Sequence, residues 1–229
     1  MPDDTAQVGA DQAPGPADGE GENFRVSLPR LVLGEGVDEE RLLGVLLKKL
    51  GLSGRVQVGQ YGGNTKLRTR LPIIARGGDF RTQIESLLIL RDADLDAAGG
   101  FDSVKGALKA SGLPVPRSMG RPHTGKFVGR NVKVSVLVFP GGGDTAGSLE
   151  TLCCRSAVNA KAMACVEDYI TCLQGKEVPL PENICKTRAY AYIATGKEAG
   201  FAVGRAAQNG YWDFDHAAWD QLKDMLLEM

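Results

Sequence analysis

The stretch LLILRDAD at residues 87–94 decides the fold class of this chain. Four large apolar residues in succession are typical of a strand buried on both faces, as in a parallel sheet. The run ends in two aspartates, Asp92 and Asp94, with one residue between them. In an open parallel sheet, ligands bind beyond the carboxyl ends of the strands. The stretch therefore predicts an inner strand that carries carboxylates to a functional edge.

Two further strand-like runs end in acidic residues. LVL at residues 31–33 precedes a segment that contains Glu35 and Glu39. VSVLVF at residues 134–139 precedes a glycine loop and then Glu150. Because the carboxyl ends of parallel strands meet at one edge, we expect these acids to converge with the two aspartates. A divalent cation would relieve the repulsion among them most simply.

Strand and helix patterns alternate along the first two thirds of the chain. We expect strands near residues 26–33, 55–58, 86–91 and 132–139. We expect helices near residues 38–51, 65–76, 101–111, 147–156, 159–174, 183–195, 198–208 and 215–228. Residues 114–130, rich in Pro, Gly and Arg, are predicted to form a long loop or hairpin. The order predicts an α/β, Rossmann-like fold with a small, mostly parallel four-stranded sheet flanked by helices, plus a helical C-terminal extension.

Composition divides the chain into a tail and one domain. Residues 1–23 hold six acids, no Lys or Arg and almost no large apolar residue, which predicts a disordered acidic tail. Residues 24–156 are expected to form the α/β core, and residues 157–229 a helical extension packed on it. No window approaches the ~18 apolar residues of a membrane span, and the N-terminus lacks the pattern of a secretory signal. We therefore expect a cytoplasmic protein with no membrane partner.

The chain beyond the tail is basic. It carries 27 Lys and Arg against 28 − 6 = 22 acids, and its acid-free segment 103–143 holds seven bases. A second basic run lies between residues 66 and 81. Since Lys and Arg neutralise phosphates, this balance predicts a nucleic-acid partner, and the alternative is a solvated positive face. The candidate nucleic-acid-binding residues are Lys66, Arg121, Lys126 and Arg130.

Acids at the start of a helix also have a structural explanation. Asp38 is a candidate N-cap, and the helix dipole would favour Glu40 in the first turn. Glu35 is different, because it belongs to the strand end and is a stronger candidate for function. The spacing of four between Glu35 and Glu39 would let both carboxylates face one cation.

The two aspartates of the central stretch also allow two interpretations. In an extended chain, Asp92 and Asp94 would point to the same side, where two carboxylates are costly unless paired or metal-bound. The alternative is a turn, in which Asp is common. Asp96 is the predicted cap of the following helix, and Ser148 is a candidate cap of the helix that contains Glu150.

Taken in order, three motifs resemble the TOPRIM superfamily. They are EGVDE at residues 35–39, DAD at 92–94 and GSLE at 147–150. The TOPRIM domains of OLD-family nucleases look most similar. The helical tail, with GYWDFD at 210–215, is similar to a small stand-alone bacterial TOPRIM-like family. The resemblance covers about residues 30–228.

The resemblance implies a metal-dependent nuclease. In that family, carboxylates hold two Mg²⁺ or Mn²⁺ ions for phosphodiester cleavage, one ion activating water and the other stabilising the leaving oxygen. Carried onto this chain, the metal ligands are Glu35, Glu39, Asp92, Asp94 and Glu150. Glu35, Asp92 and Asp94 are the implied catalytic residues.

One departure from the OLD nucleases affects the implied function. Those enzymes carry their TOPRIM domain fused to an ATPase, whereas we expect no ATPase in this chain. It is therefore expected to work alone, to work with a separate ATPase partner, or to have kept the fold and lost cleavage. Stand-alone bacterial TOPRIM proteins often resemble effectors of defence systems against phage, so the resemblance also implies a defence role for this chain.

Two other functions remain open. A phosphatase of the haloacid dehalogenase type would use Asp92 as nucleophile and Asp94 as acid. That family places its Asp-x-Asp on the first strand, whereas two predicted strands precede it here. A catalytically inert TOPRIM-like module would instead bind nucleic acid or a partner ATPase through the basic segment 103–143.

Overall fold

The computed structural model describes residues 24–197 and 200–229, so the predicted disorder of residues 1–23 lies outside the described residues. The strands are β1 (Arg30–Gly34), β2 (Gln57–Gln60), β3 (Ser86–Asp92), β4 (His123–Phe127) and β5 (Arg130–Phe139). The α-helices are α1 (Val37–Lys49), α2 (Leu67–Arg76), α3 (Gly78–Gln83), α4 (Ala97–Ala110), α5 (Leu149–Arg155), α6 (Ala160–Gly175), α7 (Ile184–Ala194), α8 (Val203–Gln208) and α9 (Asp220–Leu227). A 3-10 helix, Ala217–Trp219, precedes α9.

The strands form one mostly parallel sheet in the order β2-β1-β3-β5-β4. The first four of these run parallel, and β4 is antiparallel to β5. Leu33 of β1 pairs with Ile89 of β3, and Asp92 at the end of β3 pairs with Phe139 at the end of β5. The α/β class is confirmed. The three strands that carry the acidic clusters are neighbours, and their carboxyl ends lie at one edge.

The predicted number of four strands is wrong, because residues 24–197 and 200–229 form a sheet of five. The additional strand, β4, lies in the segment predicted to be a loop or hairpin, and it pairs with the first half of β5 through partners such as Lys126 and Asn131. It is an edge strand whose sequence, HTGKF, has only one buried residue, Phe127. An edge strand with one partner needs no continuous apolar run, so the pattern used for the inner strands does not detect it.

Two apolar layers cover the two faces of the sheet. Leu88 and Leu90 of β3 point into the layer formed by α1 and the C-terminal helices, which includes Trp219. Leu87 and Ile89 point into the opposite layer with α2 and α4. Because successive residues of a strand face opposite sides, the uninterrupted apolar run of β3 supplies both layers. The C-terminal helices therefore form one of the layers that bury the sheet.

Several boundaries differ from the sequence prediction. The short helix α3 was not predicted, and α4 begins at Ala97 rather than near residue 101. The cap of α4 is Asp96, whose carboxylate accepts a hydrogen bond from the Gly99 N–H at 3.0 Å, as predicted. Within the two described ranges, no helix has the length and apolar character needed to cross a lipid bilayer.

Candidate functional site

A cleft of about 580 Å³ lies at the carboxyl ends of β1 and β3. The end of β1, the first turns of α1 and α5, the end of β3 and helix α7 all contribute to its walls. Its charged lining residues are Glu35, Asp38, Glu39, Arg41, Asp92, Glu150 and Lys186. Five of these seven side chains are carboxylates. The cleft therefore has the position that the fold class gives to ligand sites.

Asp92 is the most deeply buried carboxylate of the cleft, with 7% of its surface exposed. Its Oδ1 atom accepts a hydrogen bond at 2.9 Å from the N–H of Leu149, the first residue of α5. Burial raises the pKa of Asp92 well above its ordinary value, and the carboxylates of Glu150 and Glu35 raise it further. The hydrogen bond fixes the side chain of Asp92, but it offsets only part of the cost of a buried negative charge there.

Glu35 links the ends of β1 and β3. Its Oε1 atom accepts a hydrogen bond from the Asp92 N–H at 3.1 Å, and its own carbonyl accepts the N–H groups of Gly62 and Gly63. Burial raises the pKa of Glu35, while the bond from Asp92 and the charge of Arg91 act in the opposite direction. Glu35 is thus held by both its main chain and its side chain at the edge of the sheet.

Glu39 lies beside Glu35, as its spacing predicted, but it also stabilises the start of α1. Its Oε2 atom accepts the Gly36 N–H at 2.9 Å. The close approach of the Glu39 side chain to the end of β1 needs a glycine at position 34, since a Cβ there would lie 2.7 Å from Cβ of Glu39. Burial raises the pKa of Glu39, and the nearby carboxylates of Glu35 and Glu150 add to the shift.

The predicted N-cap role of Asp38 is wrong. The N-cap position of α1 is Gly36, and Asp38 lies within the first turn. Its Oδ1 atom instead accepts a hydrogen bond at 3.0 Å from the N–H of Gly204 in α8. Asp38 therefore joins two helices of the same layer.

Glu150 reaches the cleft from the first turn of α5. The N-cap of this helix is Ser148, as the sequence allowed, and Ser148 Oγ donates a 2.6 Å hydrogen bond to Oε2 of Glu150. The loop that precedes it follows β5, the third strand with an acidic cluster. The structure therefore brings Glu35, Asp92 and Glu150 from three neighbouring strands into one cleft.

Asp94 is placed differently from Asp92. Strand β3 ends at Asp92, and Asp94 has a φ of 51°, in the left-handed region that Asp tolerates better than most residues. The backbone at Asp94 is therefore not extended, so the geometry that would have pointed the carboxylates of Asp92 and Asp94 to the same side is absent. Asp94 exchanges two backbone hydrogen bonds with Gly147 and does not line the cleft. Its charge is still near enough to raise the pKa of Glu35.

Lys186 and Tyr190 of α7 form part of the cleft wall, and sequence reasoning missed both. Partial burial acts against the charged form of Lys186, but the carboxylates of Glu150 and Asp92 outweigh it and raise the pKa of the lysine. The two residues are four apart on one helix and so share a face. No pattern in the sequence indicates that this face of α7 meets the edge of the sheet.

The four predicted nucleic-acid-binding residues lie on three different segments of the chain. Lys66 lies near the cleft, because its Cδ is 3.5 Å from the position that a Cβ of Gly62 would occupy. Lys126 and Arg130 lie at the turn of the β4–β5 hairpin, at the other end of β5 from the Phe139 partner of Asp92. Arg121 is exposed in the loop before β4. Arg130 is also engaged with the carbonyl of Thr82 and with Glu85.

The donor set of the cleft suits a hard cation. It offers carboxylate oxygens and no Cys or His, which matches the preference of Mg²⁺ and Mn²⁺ for oxygen ligands. Within residues 24–197 and 200–229, no three His, Cys, Asp or Glu side chains are arranged as a complete metal site. Mg²⁺ usually keeps several waters and takes one or two protein carboxylates. The residues therefore fit a cation that completes its shell with water or phosphate oxygens.

The raised carboxyl pKa values predict that acid stabilises the folded protein. Because the folded state holds protons on Glu35, Glu39 and Asp92 more tightly than the unfolded state does, their contribution to the free energy of unfolding falls as pH rises. The decrease begins near the ordinary carboxyl pKa values, at about pH 4, and continues upward through the raised pKa values of the folded state. Urea denaturation in metal-free buffers measures the effect, and subtraction of the Asp92→Asn curve isolates one group. A difference curve that rises with pH would contradict the prediction.

The fold and the cleft define the class of the protein: an α/β protein with a carboxylate-rich cleft at the carboxyl edge of a mostly parallel sheet. The chain belongs to the family DUF3226, described as a protein of unknown function, whose model matches residues 29–229. The match includes both the sheet and the C-terminal helices. No curated protein and no solved structure matches the chain. The resemblance to the TOPRIM superfamily therefore stays a prediction.

Proposed function

We propose that this protein is a TOPRIM-like, divalent-metal-dependent nuclease or related phosphotransfer enzyme on nucleic acid. One observation carries the proposal: Glu35, Asp92 and Glu150, which follow three neighbouring parallel strands, meet in one cleft. Burial and mutual repulsion raise the pKa of Asp92 and Glu35, and a bound cation would remove that penalty. We extend the proposal to a cytoplasmic protein that acts as a defence effector together with a separate ATPase.

The residues divide into ligands and groups that act on substrate. Asp92 and Glu150 would hold one cation, since Glu150 is the strongest charged neighbour of Asp92, and Glu35 with Glu39 would hold a second. The cation supplies charge stabilisation and a more acidic bound water. Lys186 faces the carboxylates from α7 and would donate to a phosphate oxygen. Alternatively, Glu35 would act as general acid or base instead of as a ligand, because burial raises the pKa of its carboxyl group.

The inert binding module remains the second candidate, and a specific observation favours it. Asp92 accepts the first N–H of α5, and Glu39 accepts the Gly36 N–H at the start of α1. Both carboxylates therefore have a structural role that needs no metal. The phosphatase alternative has less support, because Asp94 does not line the cleft beside Asp92.

Titration with Mn²⁺ tests the metal site directly. We expect saturable heat of binding to the wild type and at least about a hundredfold weaker binding to Asp92→Asn. The substitution removes one negative charge but keeps an oxygen that accepts the Leu149 N–H. Asp144→Asn is the matched control, because Asp144 forms an ion pair with Arg155 at 2.8 Å and does not line the cleft.

The companion assay asks for metal-dependent breakdown of nucleic acid. Single- and double-stranded DNA and RNA are incubated with the wild type in Mg²⁺ or Mn²⁺, and in EDTA. Breakdown that requires the metal supports the nuclease. Equal Mn²⁺ binding by wild type and Asp92→Asn, or no breakdown of any of the four substrates, overturns it in favour of the inert module.

A further inference from the structure

A positively charged surface begins at the mouth of the cleft and continues along α2. Residues 41–78 hold eight Lys or Arg and no Asp or Glu. Four of these bases lie on or directly before α2: Lys66, Arg68, Arg70 and Arg76. All four are exposed. Such an acid-free concentration of cations is suited to a phosphate backbone.

The orientation of α2 determines on which side of the helix its basic residues lie. Its apolar side, with Leu67, Leu71 and Ile74, is buried and packs toward α4. Its other side presents what we name the α2 strip, composed of Lys66, Arg70, Ile73 and Arg76. The first three are spaced by four and three residues and so lie in one row. Ile73, 63% exposed, adds an apolar contact surface between the cations.

The cations of the strip are available for a partner. In the described part of the chain, none of its three basic side chains forms an ion pair with a carboxylate within 4.0 Å. By contrast, Arg130 of the hairpin is engaged with Glu85. Exposed cations without carboxylate neighbours leave their full charge for phosphate.

The strip is continuous with the cleft. Gly62 and Gly63 line the cleft, and the Lys66 N–H donates to the Gly63 carbonyl at 3.0 Å. The Lys66 side chain passes over Gly62, 3.5 Å from where a Cβ would be. A chain leaving the carboxylates therefore meets Lys66 first and Arg70 one turn later.

The turn of the β4–β5 hairpin lies at the far end of α2 from the cleft, where Arg76 lines a second cavity with Phe127 and Val128. Lys126 pairs with Asn131, eight residues along β5 from the Phe139 partner of Asp92. At about 3.3 Å per residue, the separation along the strand is roughly 26 Å. The basic hairpin and the cleft thus lie at opposite ends of the sheet.

We propose that the α2 strip holds the backbone of a single-stranded nucleic acid whose adjoining phosphate enters the cleft. The inference rests on the proposed function and adds the substrate class and its path. A single strand is favoured because Asp92, 7% exposed, lies deep in a cleft of about 580 Å³. This volume is typical of sites for small ligands, and stacked base pairs would not enter it.

Binding measured in EDTA, which prevents metal-dependent cleavage, tests the proposed path of the single strand along α2. The probe is a short fluorescein-labelled single strand, read by fluorescence anisotropy over a series of salt concentrations. For Lys66→Glu/Arg70→Glu we expect at least about a tenfold loss of affinity. The plot of log affinity against log salt should become shallower by about 1.4, since each single-strand phosphate contact contributes about 0.7.

The matched control is Lys161→Glu/Lys176→Glu, which makes the same change of charge at exposed positions of and beside α6. The control should bind as the wild type does. Lys66→Gln/Arg70→Gln repeats the test with a milder change, and circular dichroism verifies the fold of each variant. Equal losses in the strip and control variants, or tighter binding of the matching duplex than of the single strand, overturn the proposal.

The outcomes separate this proposal from the nuclease on which it rests. If the strip variants bind as the wild type does while metal-dependent cleavage is present, the nuclease stands and the path is wrong. If the strip variants lose affinity but the protein cleaves no substrate with either metal, the proposed path is supported and the protein is an inert binding module.

Discussion

Replacement of Asp92 by asparagine is expected to lower metal-dependent cleavage at least about a thousandfold, which corresponds to several kcal/mol of lost charge stabilisation. The variant should fold, because the asparagine oxygen can still accept the Leu149 N–H. Its melting temperature should equal or exceed that of the wild type in metal-free buffer. The reason is that burial and the charges of Glu150 and Glu35 disfavour a carboxylate at position 92.

Asp94→Asn is the informative comparison for this experiment. Asp94 lies outside the cleft lining, and asparagine tolerates its φ of 51° as aspartate does. We therefore expect a loss smaller than about tenfold, from the change in electrostatic potential alone. Initial rates and thermal melts of both variants decide the matter. Retention of cleavage by Asp92→Asn would remove Asp92 from the site, and equal losses in both variants would return Asp94 to it.

Gly204→Ala is expected to destabilise the protein by about 2–3 kcal/mol, although alanine usually stabilises a helix. A Cβ at this position would lie 2.6 Å from the backbone oxygen of Asp38 and 2.8 Å from Cβ of Arg41. Helix α8 would have to move away from α1, weakening the hydrogen bond between the Gly204 N–H and Asp38. Urea denaturation measures the change in the free energy of unfolding.

Gly44→Ala is the opposite case on the facing helix. Gly44 lies inside α1, and a Cβ there meets no heavy atom within 4 Å. Alanine should therefore raise the free energy of unfolding by about 0.5–1 kcal/mol. A stabilising Gly204→Ala would show that α1 and α8 are packed less closely than described.

The central strands and their acids were predictable because two independent signals coincide. An apolar run buried on both faces identifies β3, and the acids after it mark its carboxyl end. The same reasoning applies to β1 and β5, and parallel topology brings their ends together. The meeting of Glu35, Asp92 and Glu150 follows from this topology rather than from any local pattern.

The other parts of the site depend on long-range packing. Lys186 reaches the cleft only because α7 packs beside α5, and this contact has no counterpart in the spacing of residues. The direction of Asp94 depends on a left-handed backbone that an Asp-x-Asp pattern does not reveal. The basic segments were recognisable by composition, but their distance from the acids was not, because it depends on the direction of the β4–β5 hairpin.

The C-terminal helical layer has a consequence for how this family can change. Ala189, Tyr192 and Ile193 of α7 are buried in the same layer as Trp219, while Lys186 and Tyr190 of that helix border the cleft. Selection for a wider or narrower entrance therefore acts on a helix whose other residues bury the sheet. Substitutions that re-size the entrance will carry a folding penalty, so changes of substrate should be accompanied by compensating changes in the interior.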